Sequence, residues 1–159
     1  MNKKIQYCIA VLLIIIIAGC NLPKYPIDDP PVVKIDTRLL GKWKLKNEKD
    51  VYVITKQNDY QYLITFKEKK KAPEKQVAFL SKVNDARFLN IYCADDSGGS
   101  YFLLRIIDVN AAANRITAAT VKDSTMQYLK SSAEVRDYVV KNLDNSAFYS
   151  DTGYFYKVK

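Results

Sequence analysis

VYVITKQNDYQYLITFK, Val51 to Lys67, decides the fold. Val51 to Lys56 and Tyr60 to Lys67 both alternate apolar and polar residues, and the trio Gln57-Asn58-Asp59 between them favours a turn. A β-hairpin follows from that pattern. In its second strand Tyr60, Tyr62, Ile64 and Phe66 share one face, while Gln61, Leu63, Thr65 and Lys67 share the other.

The same period continues outward. Downstream, Glu68 to Lys75 is a polar loop holding Pro73 and four lysines, and strands are expected at Gln76–Val83, Arg87–Cys93, Tyr101–Val109, Arg115–Lys122 and Thr125–Lys130. Upstream, Leu39-Leu40-Gly41-Lys42-Trp43 leads into a first strand. At Ser131 the period changes from two to 3.6: Ser131 and Glu134 form a capping-box pattern, and Val135, Tyr138, Val139 and Leu143 make one apolar stripe. This predicts a helix over Ser132–Leu143, followed by a last strand over Tyr154–Lys159. Short turns between consecutive strands predict an all-β domain, an antiparallel up-and-down meander that removes its edges by closing into an eight-stranded barrel. One C-terminal helix and a final strand complete it. Leu103 and Ile107 are apolar as well as Phe102, Leu104 and Ile106, so that strand should be buried on both faces, with the helix as outer cover.

The amino terminus carries an address. Lys3 and Lys4 precede an apolar run, Ile9 to Ala18, which is too short for a comfortable membrane span. Ile17-Ala18-Gly19-Cys20 closes it and resembles the lipobox of bacterial lipoproteins, in which the cysteine sulfur is alkylated with diacylglycerol and the new amino terminus is often acylated, for example with palmitate. The resemblance implies a signal peptide over 1–19, lipidation of Cys20, and two or three acyl chains holding the protein to a membrane of the cell envelope. Asn21, rather than the Asp that retains lipoproteins at the inner membrane, favours the outer one. Asn21 to Asp36 contains Pro23, Pro26, Pro30 and Pro31, so 20–36 reads as a lipidated cysteine and an extended tether, and 37–159 as the barrel domain.

Loss of residues 1–19 removes Lys3 and Lys4 and no acid, taking the formal charge from +8 to +6. An exported lipoprotein does not meet nucleic acid, whereas anionic headgroups attract such a surface. The 140 residues from Cys20 onward suit one domain, and Cys93 is the thiol left after lipidation, so no internal disulfide is expected. There is no histidine. Ser-His-Asp and Cys-His relays and His-ligated zinc therefore lack their central member; catalysis by carboxylates, Lys or Tyr stays formally open but has no motif behind it, and the expectation is a protein that is not an enzyme and uses no metal or cofactor.

Gly41-Lys42-Trp43 at the entry to the first strand is similar to the G-x-W motif of lipocalins, and the order of strands, helix and extra strand follows that family's plan. The resemblance implies a barrel floor plugged by Trp43. Two further family features, a T-D-Y motif and an Arg near the last strand that packs on the Trp, have no counterpart among these residues. Tyr60, Tyr62, Phe66 and Phe79 are the aromatic candidates for a ligand cavity. Cys93 falls on a strand face with Leu89 and Ile91 and reads as a small buried hydrophobe. Asp95-Asp96-Ser97-Gly98-Gly99 offers oxygen donors without the spaced carboxylates of an EF-hand. Lys69, Lys70, Lys71 and Lys75 could touch anionic headgroups. Two functions are consistent with this pattern. One is a membrane-anchored envelope lipoprotein binding a small apolar or amphipathic ligand in its barrel; the alternative is a non-enzymatic interaction or inhibitor module for an envelope protein, with a filled core.

Overall fold

A computed structural model describes residues 22–46, 48–67, 73–94 and 98–158. Eight antiparallel strands form a closed barrel in which every strand pairs with its sequence neighbour and the last pairs with the first. They are β1 (Gly41–Leu45), β2 (Val51–Lys56), β3 (Tyr62–Lys67), β4 (Glu74–Val83), β5 (Ala86–Cys93), β6 (Ser100–Asn110), β7 (Arg115–Thr120) and β8 (Gly153–Val158). The β2–β3 hairpin pairs Val53 with Thr65 and Ile54 with Ile64. In the turns after β4 and β6, at the same end of the barrel, Asn84 and Asn114 take positive φ, of 52° and 47°. Asparagine tolerates that left-handed geometry better than most residues.

One expected strand is absent. Thr125–Lys130 does not join the barrel: Ser124–Tyr128 is a 3-10 helix capped by the Asp123 side chain, which accepts from the Thr125 N–H. Met126 is buried while Tyr128, which would share its face in a strand, is exposed; six residues of sequence are too few to separate period two from period three. The final strand takes the vacant place, since β8 pairs with both β7 and β1 and so closes the barrel. Helix α1 (Ser132–Asn142) lies between β7 and β8 in the chain, and the Ser131 hydroxyl accepts from the Glu134 N–H as its sequence predicts.

Two cores flank the barrel wall. Inside, Trp43, Ile64, Leu80, Leu89, Ile106 and Ile116 pack with Leu39 from a 3-10 turn, Thr37–Leu39. Outside, Val83, Phe88 and Leu103 of β4, β5 and β6 pack with Val135 and Val139 of α1 and with Met126 and Phe148. Strand β6 is thus buried on both faces at Leu103 and Ile106. Ile107 departs from the expectation: it follows Leu103 on the outer face but is 51% exposed, beside a bulge between Ile106 and Asp108.

The proline-rich segment is not a free tether. From Pro23 it lies as a strap on the barrel: the Tyr101 N–H donates to the Pro23 carbonyl at 2.8 Å, and the Ile27 N–H donates to Asn90 Oδ1 at 2.9 Å. Asp28 then receives Arg136 of α1 at 2.6 Å, and the Ile35 N–H reaches the Asp59 carbonyl. Ile27 is almost fully buried in the outer core. Prolines prevent the strap from forming a strand, yet side-chain acceptors elsewhere in the fold satisfy its amides. Cys20 and Asn21 lie outside the described residues.

Candidate functional site

The strand directions give the barrel two unlike ends. The floor holds the turns after β2, β4 and β6; the mouth holds the connections after β1, β3, β5 and β7. Trp43 fills the floor, where its indole Nε1–H donates to the Leu39 carbonyl at 2.7 Å. Directly opposite on β8 is Lys157, whose Nζ stands 5.4 Å from the centre of the indole ring. Gly41 adjoins them with φ of +131°, and a Cβ there would come within 2.7 Å of Lys157 Cε. The backbone therefore favours glycine at the start of this strand, and any side chain there would also have to displace the end of Lys157.

The strap seals the other side of the floor. Asp36 accepts from Arg38 at 2.6 Å and from Arg87 at 2.7 Å, and its own N–H donates to the Tyr62 hydroxyl at 2.6 Å. Hydrogen bonding from Arg38 holds the Asp36 carboxyl below the usual carboxylate value. Tyr62 is wholly enclosed, and burial pushes its phenol up to about 12. This is packing rather than a place for a ligand.

The mouth half differs. There the inward faces of β1, β2, β3, β5, β6 and β8 present Leu45, Tyr52, Phe66, Ile91, Phe102 and Phe155, all only part-buried, in contrast to the closed floor. The Tyr52 ring centre lies 5.2 Å from that of Phe66 and 6.1 Å from that of Phe155. Burial, then the charges of Glu48 and Asp50, pushes the Tyr52 phenol up to about 12, so its hydroxyl stays protonated at neutral pH. Burial, together with Asp50, also raises Glu48. These part-buried side chains give the mouth end an apolar, aromatic lining with a phenol and two carboxyl side chains beside it, chemistry suited to an apolar body with a polar head.

Of the four aromatic candidates, only Tyr62 and Phe66 share the barrel interior. Tyr60 lies before β3 in the turn and is 41% exposed, and Phe79 points outward, with its ring centre 6.3 Å from that of Tyr101 on the outer wall. The one-face reading fails for Tyr60 because β3 starts two residues later. Phe79 faces out because its cross-strand partner is Asn90, which belongs to the outer face. Tyr52 and Phe155 were missed. Alternation in Val51–Lys56 placed Tyr52 beside Ile54, whereas Tyr154, Phe155 and Tyr156 are too alike for polarity to select a face.

Cys93 is part-buried on the inner face with Leu89 and Ile91, as its position predicts. Lys75 is exposed on β4; Lys69, Lys70, Lys71, Asp95, Asp96 and Ser97 lie outside the described residues. Among the described residues no three His, Cys, Asp or Glu side chains gather to hold a metal, and no helix is long and apolar enough to cross a membrane. A cleft of about 280 Å³ opens at the mouth between Leu22, Pro23, Phe102, Val121, Lys122 and Met126, and one of about 260 Å³ lies beside Trp43 and Lys157 at the floor. Comparison with known proteins gives no match: no family model, no curated protein and no solved structure is significantly similar to this chain.

Proposed function

We propose that this chain is a lipoprotein of the bacterial cell envelope, anchored through Cys20, that holds a small apolar or amphipathic molecule in the mouth half of a lipocalin-like barrel. The single observation that carries the reading is the contrast along the barrel axis. Trp43, Ile64, Leu80, Leu89 and Ile106 close the floor, while Tyr52, Phe66, Ile91, Phe102 and Phe155 keep part of their apolar surface open. Covering that surface with a ligand gains about 25 cal/mol per Å². Lys157 over Trp43 supports the family resemblance, since it supplies from the last strand the cation that lipocalins provide with Arg.

A second reading, a module that binds an envelope protein through its outer wall, is favoured by Tyr154 and Tyr156, which stand 38% and 39% exposed on β8 with Lys44 paired beside Tyr156. Mass spectrometry of organic extracts separates the two. Protein purified from its own host, compared with a mock purification, is expected to carry a stoichiometric amphiphile that Ile91→Trp, which fills the cup, displaces. Extracts with nothing enriched, from a protein that melts cooperatively, would overturn ligand binding in favour of the outer wall. Intact mass tests the anchor: a mature chain beginning at Cys20 with added diacylglycerol is expected.

A further inference from the structure

We infer that the barrel stands mouth-down on the bilayer that holds its anchor, so that the cup opens onto the membrane and takes its amphiphile from the lipid layer. The inference rests on the lipoprotein reading and adds a direction to it. Strap geometry is the argument. Strand β6 begins at the mouth, and at Tyr101 it is hydrogen-bonded to the Pro23 carbonyl. From there the strap descends the outer wall, past Asn90 and Arg136, to Asp59 and Asp36 at the floor.

The chain is therefore fixed at the mouth only three residues after Cys20. Three residues of fully extended chain reach about 10 Å, less than the length of the barrel itself. An anchored Cys20 brings the mouth to the membrane surface and keeps the floor on the far side, whereas sixteen residues of free tether would have left the domain to tumble. What surrounds the fixed point suits the same neighbour. Leu22, Pro23, Phe102, Val121 and Met126 line the mouth cleft with Lys122 and Asp123 at its edge, and Tyr25 stands 40% exposed nearby on the strap. Apolar surface with charged groups, Lys122 among them, at its margin fits the boundary between zwitterionic headgroups and acyl chains.

Depth-dependent quenching tests this on the full lipidated chain. In a Cys93→Ala background, Lys49→Cys places a fluorophore on the β1–β2 connection at the mouth, and Ala112→Cys places one on the β6–β7 turn at the floor; both positions are exposed. In vesicles containing nitroxide-labelled phospholipid, the label at 49 is expected to be quenched several-fold more than the label at 112. Equal quenching, or more at 112, would overturn the orientation while leaving the anchor intact. A chain that does not float with vesicles would overturn the anchor and the orientation together. An insert of about ten Gly-Ser residues between Asn21 and Leu22, roughly 17 Å of coil, should keep flotation and bring the two labels toward equality; an undiminished difference would overturn the strap as the orienting element.

Discussion

Arg87 on β5 and Asp36 on the strap meet at 2.7 Å across 51 residues of chain, and the contact locks the strap to the floor of the barrel. Asp36 is little exposed and also receives Arg38, whose hydrogen bond does most to lower its pKa below the ordinary aspartate value. A carboxyl with a lower pKa in the folded state contributes stability that is complete above its unfolded pKa and is lost as the pH falls through the folded one. Asp36→Asn is therefore expected to cost about 1–3 kcal/mol at neutral pH, and less in acid, below the ordinary aspartate range. Urea unfolding at both pH values checks it, and a cost independent of pH would mean that charge is not what Asp36 contributes.

Ile27 makes the strap part of the core. Its side chain is almost fully buried among residues of α1 and the outer wall, and its amide is satisfied by Asn90, whose Nδ2 in turn donates to Ser81 Oγ at 2.9 Å. Ile27→Ala is expected to lower stability by about 2–4 kcal/mol. A chain beginning at Thr37 should lose more, because Asn90 would be left buried without its strap partner and the apolar wall uncovered. Full cooperative folding of that shorter chain, seen by urea unfolding, would show the strap to be decoration.

What was legible in the sequence follows from how far each signal reaches. The β2–β3 hairpin, the turns at Asn84 and Asn114 and the start of α1 are each specified within a few residues, by alternation, by an asparagine that accepts positive φ, or by Ser131 with Glu134. The strap could not be read this way. Its anchors, Asn90 and Arg136, lie 63 and 108 residues from Ile27 and Asp28, and proline erases the period that would have marked it as structured. The cup was half legible: Phe66 lies inside, but Phe79 required the register of β4 against β5, which no local pattern sets.

Tyrosine ionisation gives a test at the other end of the pH scale. Burial pushes Tyr52 and Tyr62 up to about 12, well above the ordinary tyrosine value. Phenols favoured in their neutral form by folding contribute stability that is present below pH about 10 and is lost as the pH rises toward about 12. Burial also raises Tyr101 and Tyr149, but phenolate absorbance should show Tyr52 and Tyr62 as two groups titrating toward about 12 in the folded chain. Tyr52→Phe should remove one of them and flatten the alkaline loss of stability; if both remain, Tyr52 is open to solvent and the aromatic cup is wetter than described.

Trp43 is the only tryptophan, so its fluorescence reports the floor alone. Lys157→Arg preserves a cation over the ring and should leave emission and stability nearly unchanged. Lys157→Met keeps the aliphatic cover but removes the charge, at a cost of about 0.5–1 kcal/mol. Gly41→Ala should cost more, since the added Cβ meets Lys157 Cε at 2.7 Å and alanine must also hold φ at +131°. The double variant Gly41→Ala/Lys157→Met separates the two penalties. Methionine can bend away from the new methyl group, but nothing relieves the backbone, whose strain is about 1–3 kcal/mol. Partial rescue is therefore expected, with the double variant less stable than Lys157→Met alone. Complete rescue would mean that crowding against Lys157, rather than backbone geometry, is what demands glycine before the tryptophan.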